Sequence, residues 1–277
     1  MDRAKVRLYV DHPLGAGQTV PLDRDQANYL FNVMRMGPGD AVALFNGHAG
    51  EWRAEVVTGN KRNGVLACVG QSAPQMDPPD LWLIFAPIKK ARTDFIVEKA
   101  AEMGARRILP VLTDYTNSER VRVDRLQAHC VEAAEQCGGT YVPKVAEPQQ
   151  LEALLGDWPA DRRLMFCDEA LAGGAAGLPD AGGPWAILIG PEGGFSEAER
   201  TRLHGLPFAH PVSLGPRILP PCPDPGMGGF FVAFLPRSTP LIQQKSPPEN
   251  DCFRREKSVD KISGLERFCP GRGGEVH

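Results

Sequence analysis

The 277-residue sequence has no apolar run of about 18 residues, and no signal-peptide pattern follows Met1. A cytoplasmic protein without a membrane segment is therefore the expectation. Seven cysteines occur, an odd number without Cys-x-x-Cys spacing, and the six histidines are scattered. These patterns favour reduced, mostly buried thiols, and they predict neither a disulfide framework nor a metal site.

The sequence also lacks an excess of positive charge, since its formal net charge is −3 at pH 7. This balance argues against a protein that binds nucleic acid over its whole surface, so RNA binding has to come from local patches. Hydrophobic residues make up 42% of the chain and charged residues 23%, which is typical of a globular protein. The length is sufficient for two domains.

A strand, a glycine-rich turn and a helix are predicted in succession around residue 190. The continuous apolar run at residues 186–189 is typical of a buried parallel strand. Gly190-Pro-Glu-Gly-Gly194 breaks that run, and Ser196 with Glu199 forms a capping box that begins a helix. The turn is neither a P-loop nor a Gly-x-Gly-x-x-Gly dinucleotide motif. It either lets a ligand approach the main chain at the strand end or is a plain connection.

A second apolar stretch ending in a glycine turn lies at Val212-Ser-Leu-Gly-Pro-Arg-Ile-Leu219, so two turns predict one shared pocket. Ile-Gly-Pro-Glu-Gly-Gly-Phe-Ser-x-x-Glu followed by Leu-Gly-x-Arg-Ile-Leu resembles the signature of the RsmE family. That family consists of 16S ribosomal RNA uridine-N3 methyltransferases of the knotted SPOUT superfamily. The resemblance runs from about Leu8 to Leu219 and implies S-adenosylmethionine as cofactor, a C-terminal trefoil knot and a homodimer.

The resemblance implies functions for residues of both turns. The cofactor is expected against Ile189, Gly190, Pro191, Glu192, Gly193, Gly194, Leu214, Gly215, Ile218 and Leu219. Methylation of uridine N3 requires loss of the N3 proton and stabilisation of the resulting anion. Arg217 is the candidate for stabilising the anion, because a guanidinium stays charged. Glu192 is the candidate for orienting the base or accepting its proton, with bracing of the turn as the alternative.

Residues 1–73 predict a small β-rich domain, and the proline-containing segment 74–80 predicts a linker. Val6, Leu8 and Val10 alternate with polar residues, as in an edge or barrel strand. A helix is predicted at 23–36 and a hairpin at 41–57. The resemblance implies a PUA-like barrel that holds RNA, in which Arg35 matches a family arginine. An ordinary solvated arginine at a helix end is the alternative.

Residues 81–219 predict an α/β domain with a parallel sheet covered on both faces, because strands and helices alternate. Strands are predicted at 81–88, 108–112 and 164–167, and helices at 94–103 and 123–137. Lys89, Lys90 and Arg92 lie between the first strand and the first helix. Such a cluster suits contacts with RNA phosphates, with a solvated rim of the sheet as the alternative.

The resemblance stops abruptly after Leu219. The family continues with an Arg-x-Glu/Asp-Thr-Ala helix that completes the knot, whereas this chain continues Pro220-Pro-Cys-Pro-Asp-Pro225. Residues 220–277 therefore predict an aberrant, disordered tail. Codons for residues 219–231 can be chosen so that the +1 frame reads Arg-Arg-Ala-Arg-Thr-Arg-Ala-Trp-Ala-Ala-Phe. We interpret the tail as a frame-shifted translation, which predicts a missing closing helix, poor solubility and weak cofactor binding.

Together these inferences predict an S-adenosylmethionine-dependent methyltransferase that acts on N3 of a specific uridine in 16S ribosomal RNA, without a metal. Two alternatives remain. One is a SPOUT methyltransferase that modifies a ribose 2′-hydroxyl, and the other is a catalytically inactive RNA-binding relic.

Overall fold

Two β-sheets follow one another along the chain in the computed structural model, which describes residues 4–117, 120–168, 171 and 182–213. All of these residues fall within one structural unit, Met1–Ala233. The second glycine turn at residues 214–219 and the tail at 220–277 lie outside the described residues. The predicted knot depends on those segments.

The N-terminal sheet has five strands in the order β1-β3-β4-β5-β2. Their bounds are β1 Val6–Tyr9, β2 Thr19–Leu22, β3 Ala41–Phe45, β4 Glu51–Asn60 and β5 Asn63–Ala73. Strands β1 and β3 pair in parallel, and the other neighbours pair antiparallel, including the predicted β3–β4 hairpin. Val6, Leu8 and Val10 are buried as their alternation predicts, and β1 is an outer strand of the sheet.

The helix predicted at residues 23–36 is shorter and differently wound. An α-helical turn, α1 Arg24–Ala27, is capped by Asp23 and continues as a π-helical segment, Asn28–Val33. The chain then leaves the helix, and Arg35 adopts a left-handed φ of 55°. Leu30 of this segment is buried in the core of the N-terminal sheet, and Phe31 packs against that core.

The second sheet is entirely parallel, as the strand–helix alternation predicts. Its order is β12-β10-β11-β6-β7-β8, and β9 pairs with β7 beyond β8. The bounds are β6 Leu81–Phe85, β7 Arg107–Leu112, β8 Lys144–Val145, β9 Gln149–Gln150, β10 Arg163–Cys167, β11 Trp185–Ile189 and β12 Ala209–Val212.

Helices cover both faces of this sheet. They are α2 Lys90–Glu102, α3 Val123–Cys137, α4 Leu151–Gly156 and α5 Glu197–His204. Alternate residues of β6 face opposite sides: Leu83 and Phe85 pack with α2 and α3, whereas Ile84 packs with α4 and α5. The α/β architecture predicted from the sequence is therefore confirmed, although α4 was not predicted.

Helix α2 begins four residues earlier than predicted. Lys89 is its N-cap residue, and Lys90 and Arg92 lie in its first turn rather than in a connecting loop. The helix ends before Gly104, whose φ of 79° is the left-handed conformation expected after a helix. Across the part of the chain that is described, every helix is too short or too polar to cross a membrane.

Arg7 of β1 joins the N-terminal sheet to α3. Its side chain, 11% exposed, lies 2.6 Å from the Glu51 carboxylate. The guanidinium also donates hydrogen bonds to the carbonyl oxygens of Ala134, Glu135 and Gly139, at 2.6, 3.0 and 2.9 Å. These carbonyls lie at the C-terminal end of α3, where a cation satisfies free acceptors and opposes the helix dipole.

Candidate functional site

The predicted strand–turn–helix segment is present at the carboxyl end of β11, a central strand of the parallel sheet. We call residues 190–194 the glycine turn. Beyond it, the Ser196 hydroxyl accepts the Glu199 N–H at 3.2 Å, and the Ser196 N–H donates to the Glu199 carboxylate at 2.9 Å. The capping box is therefore confirmed, and α5 begins where the sequence predicts.

A different structural feature explains each of the three glycines in the turn. A Cβ on Gly190 would lie 2.8 Å from the Phe195 ring, so that position requires glycine for packing. Gly194 has a φ of 71°, which favours glycine, and its N–H donates to the Pro191 carbonyl at 2.9 Å. At Gly193 the nearest atom to a Cβ would be 3.6 Å away, an ordinary contact. The fold thus tolerates a side chain at Gly193, and the space there is available to a ligand.

The middle of the glycine turn also offers hydrogen-bond donors. Glu192 and Gly193 are exposed, and no residue in the described ranges accepts a hydrogen bond from either backbone N–H. Free N–H groups at a strand end suit the polar groups of a bound ligand. The turn can therefore bind a ligand through its main chain.

An ion pair spans the side of the glycine turn. The Arg92 guanidinium lies 3.5 Å from the Glu192 carboxylate, and both side chains are partly exposed. One residue predicted to bind RNA is thus in contact with one predicted to act in catalysis. Lys89 and Lys90 are exposed beside them at the start of α2, and neither forms an ion pair with a described residue.

The end of β7 contributes two residues that sequence reasoning missed. The Ser196 hydroxyl donates to the Asp114 carboxylate at 2.5 Å, and the Asp114 N–H donates to Glu199 at 3.0 Å. Tyr115 is the side chain nearest to Gly193. Both follow the predicted strand 108–112, so the rule that ligands bind at carboxyl strand ends could have identified them.

The end of β10 braces α5 from the other side. Asp168 is 1% exposed, and its carboxylate lies 3.2 Å from Arg200 and 2.8 Å from His204. A carboxylate this deeply buried needs such partners. Burial also raises the pKa of the neighbouring Cys167 to about 12, so this cysteine stays a thiol at neutral pH.

The structure brings most of the predicted site residues to one edge of the sheet. Those at this edge are Ile189, Gly190, Pro191, Glu192, Gly193, Gly194, Lys89, Lys90 and Arg92. Arg35 belongs instead to the connection that follows the π-helical segment. The remaining candidates, Leu214, Gly215, Arg217, Ile218 and Leu219, lie outside the described residues. Among the residues that are described, no group of three or more His, Cys, Asp or Glu side chains is placed to hold a metal ion.

Two family models match the chain. A model described as an RNA methyltransferase domain matches residues 75–220, and one described as an RNA methyltransferase PUA domain matches residues 22–66. The chain is 30% identical over 212 residues to the ribosomal RNA small subunit methyltransferase E of Synechocystis, covering 73% of this chain and 68% of that protein. It is 24% identical to the enzyme of the same name from Buchnera aphidicola, covering 77% and 89%.

Solved structures give the same result. A ribosomal RNA small subunit methyltransferase E from Neisseria gonorrhoeae, bound to S-adenosyl methionine, superposes with a TM-score of 0.71 at 26% identity. That alignment covers 77% of this chain and 90% of the other. A methyltransferase from Legionella pneumophila in complex with the same cofactor superposes with a TM-score of 0.72 at 26% identity, covering 79% and 93%. The motifs, the parallel sheet and these matches agree, and the chain belongs to the ribosomal RNA small subunit methyltransferase E family, the RsmE family that its glycine turns resemble.

Proposed function

We propose that this protein transfers the methyl group of S-adenosylmethionine to N3 of a uridine in small-subunit ribosomal RNA. The observation that carries the proposal is the glycine turn, a main-chain ligand site with room at Gly193, in a chain of this family. The Neisseria and Legionella proteins bind the cofactor, and the Synechocystis and Buchnera relatives are methyltransferases of small-subunit ribosomal RNA.

The residues present fit the cofactor. Bound S-adenosylmethionine supplies a methyl group that its sulfonium activates for in-line transfer. Main-chain groups from Ile189 to Gly194 hold the cofactor, with the N–H groups of Glu192 and Gly193 donating to it. We assign the other side of the pocket to the second glycine turn, through Leu214, Gly215, Ile218 and Leu219.

The chain must also manage the proton on uridine N3. The new N–C bond forms as the C–S bond of the sulfonium breaks, and the N3 proton leaves to a base. We assign that base to the Glu192 carboxylate, which belongs to the glycine turn and lies 3.5 Å from the Arg92 guanidinium. We assign Arg217 to the oxygen atoms of uridine that carry the negative charge once N3 has lost its proton.

The start of α2 positions the RNA backbone. Lys89, Lys90 and Arg92 project cations from the first turn, next to the cofactor site. Lys89 and Lys90 are exposed and form no ion pair with a described residue, whereas several charges farther along α2 and α3 are paired: Arg125 with Asp94, Lys99 with Glu98 and Glu102, and Arg122 with Asp124. The two lysines therefore remain available for phosphate groups.

We further propose a cytoplasmic homodimer, as the family resemblance implies. Sedimentation equilibrium of the purified chain measures the mass in solution directly. A mass of one chain at all concentrations would contradict the dimer without affecting the assignment of cofactor or substrate.

Two measurements test the activity. Calorimetric titration of the full chain with S-adenosylmethionine is expected to show saturable binding, with the low affinity that the altered tail predicts, and a chain that binds RNA but no cofactor would be the inactive relic. Methylated small-subunit RNA is then digested and analysed by mass spectrometry. A methyl group on the uracil ring supports the proposal, whereas one on the ribose indicates the 2′-O-methyltransferase.

A further inference from the structure

We propose that the π-helical segment and the β4–β5 hairpin tip together bind unpaired nucleotides of the RNA substrate. This surface, which we call the hairpin surface, consists of Tyr29, Val33, Met34, Arg35, Lys61 and Arg62. The proposal deepens the proposed function, on which it rests for the identity of the nucleic acid. It adds Tyr29, Lys61 and Arg62 to Arg35 and defines how the RNA is held.

Phe31 docks the π-helical segment onto the hairpin. A Cβ on Gly59 would lie 2.1 Å from the Phe31 ring, and one on Gly64 would lie 2.4 Å from it. The ring therefore rests directly on the main chain of both glycines. Gly59 and Gly64 are each two residues from the tip, so Lys61 and Arg62 lie next to the docked helical segment.

The helical segment and the residue after it expose apolar side chains. Tyr29 is 41% exposed, Val33 59% and Met34 39%. Seven large hydrophobic residues are exposed in the described ranges, and three of them lie within this segment or directly after it. Such clustering marks an interaction site, because isolated exposed residues would be scattered over the surface.

The backbone here is held in an unusual conformation. The Met34 N–H donates to the Tyr29 carbonyl at 2.9 Å, a π-type bond, and the Met36 N–H donates to Leu30 at 3.0 Å. Between them, Arg35 has the only positive φ of a non-glycine residue in the described ranges. Strained backbone and π turns persist where the surrounding structure holds them, commonly at functional sites. Here they project an arginine beside the exposed apolar side chains.

The charges of the hairpin surface complement phosphate groups. Arg35, Lys61 and Arg62 are exposed, and none has an ion-pair partner among the described residues. The three cations are therefore not neutralised locally.

This combination selects single-stranded RNA. Exposed aromatic and apolar side chains stack on unpaired bases, and nearby cations contact the adjoining phosphates. A duplex conceals its base faces and would engage the cations alone. A substitution of Tyr29 therefore distinguishes binding of single-stranded RNA from binding of duplex RNA, and it provides the test.

Fluorescence anisotropy of the full chain with a labelled single-stranded RNA of about twelve nucleotides is the measurement. Tyr29→Ala is expected to weaken binding about tenfold without changing its salt dependence, and Tyr29→Phe is expected to restore it because the ring stacks without its hydroxyl. The double variant Lys61→Ala/Arg62→Ala is expected to reduce the slope of log affinity against log salt by roughly 1.4.

The control removes two exposed cations elsewhere, Arg106→Ala/Lys144→Ala, at the amino-terminal edge of the parallel sheet. Parent-like RNA affinity is expected of it. Equal losses in the control and in the Lys61/Arg62 variant, or an unchanged affinity in Tyr29→Ala, would overturn the proposal. A duplex of the same length that competes equally well would do so too.

Cofactor titration separates this proposal from the proposed function. Normal S-adenosylmethionine binding in every variant, with RNA affinity lost only in the hairpin-surface variants, supports both. Methylation by the parent with no effect of the hairpin-surface changes would overturn this inference and leave the function standing.

Discussion

Gly193 is the glycine of the turn that packing does not require. Gly193→Val is expected to lower S-adenosylmethionine affinity at least about tenfold while leaving the unfolding free energy close to the parent value. The reason is that the branched side chain occupies the ligand's space but meets only an ordinary 3.6 Å contact with Tyr115. Calorimetry and urea unfolding measure the two quantities.

Two further glycine substitutions serve as controls for Gly193→Val. Gly156→Ala, where a Cβ meets nothing within 4 Å, should leave both quantities unchanged. Gly190→Ala should instead lower stability, since its Cβ would lie 2.8 Å from the Phe195 ring. Parent-like cofactor affinity in a folded Gly193→Val variant would remove the glycine turn from the pocket.

Glu192 is tested by an isosteric change. Glu192→Gln keeps the shape of the side chain but cannot accept a proton, so the rate of single-turnover methylation should fall about a hundredfold while cofactor affinity stays the same. Arg92→Ala, which removes the ion pair but leaves the carboxylate, serves as comparison and should show a smaller loss of rate. If Glu192→Gln methylated at the parent rate, the residue would only brace the turn.

At the scale of single elements, the end of α3 predicts a pH effect. Burial raises the pKa of Glu135, and the nearby Glu132 charge adds to this, whereas the Tyr9 N–H bond and Arg7 act in the opposite direction. Because the folded protein holds this proton more tightly, its contribution to stability is present below the unfolded pKa of about 4.3. It is lost as pH rises through the folded value.

The prediction compares the parent with Glu135→Gln, whose amide oxygen can still accept the Tyr9 N–H. As the pH rises above the unfolded pKa of about 4.3 and through the raised folded pKa, the parent should lose stability relative to the variant in urea unfolding. Glu147→Gln removes an exposed carboxyl and is the control. A difference between parent and Glu135→Gln that is constant with pH would contradict the effect of burial.

Elements defined by local chemistry were predictable from the sequence. Ser196 and Glu199 are three residues apart, so their capping box and the start of α5 follow from the sequence itself. The helix at 23–36 was mispredicted because apolar spacing does not distinguish an α from a π turn. The π-helical segment also packs Phe31 on Gly59 and Gly64, which belong to a later hairpin that apolar spacing within residues 23–36 does not reveal.

The candidate site was only partly predictable for a related reason. The glycine turn was identified from its own residues. By contrast, the Arg92–Glu192 pair spans 100 positions and the Asp114–Ser196 bond spans 82. No spacing rule links such residues, since the order of strands in the sheet brings them together.

At the scale of the whole molecule, Arg7 joins the N-terminal sheet to α3, alongside the Tyr9 N–H that donates to the Glu135 carboxylate. Arg7→Ala should destabilise the protein by about 3 kcal/mol, because it removes the partly buried ion pair with Glu51 and the guanidinium donor of three carbonyls. The sheets should then unfold separately. Single-tryptophan variants retaining Trp52 or Trp158 report the two sheets, and their urea transitions should coincide with Arg7 present and diverge without it. Coincident transitions in Arg7→Ala would show that other contacts suffice.

The tail gives a prediction about the complete chain. The RNA methyltransferase family match ends at residue 220, next to Leu219, where the resemblance stops. Replacing residues 220–277 with the sequence encoded one base away should raise solubility and S-adenosylmethionine affinity, because the closing helix would cover apolar surface. Resequencing the gene is the first measurement. An uninterrupted frame with no such helix encoded beside it would contradict the frameshift, and tight binding by the present chain would contradict the loss of affinity.

The contacts of Arg7 also impose an order on assembly during translation. Arg7 lies in the first strand to be synthesised, yet its acceptors extend to Gly139. At about 5–20 residues per second, the ribosome completes those acceptors roughly ten seconds after β1 has been made. Until then β1, which covers the outer edge of β3, lacks the hydrogen bonds from Arg7 to α3. An unprotected strand edge is a template for association with other nascent chains. The N-terminal sheet is therefore begun first and completed late, and it stays open to association with other nascent chains until residue 139 has been synthesised.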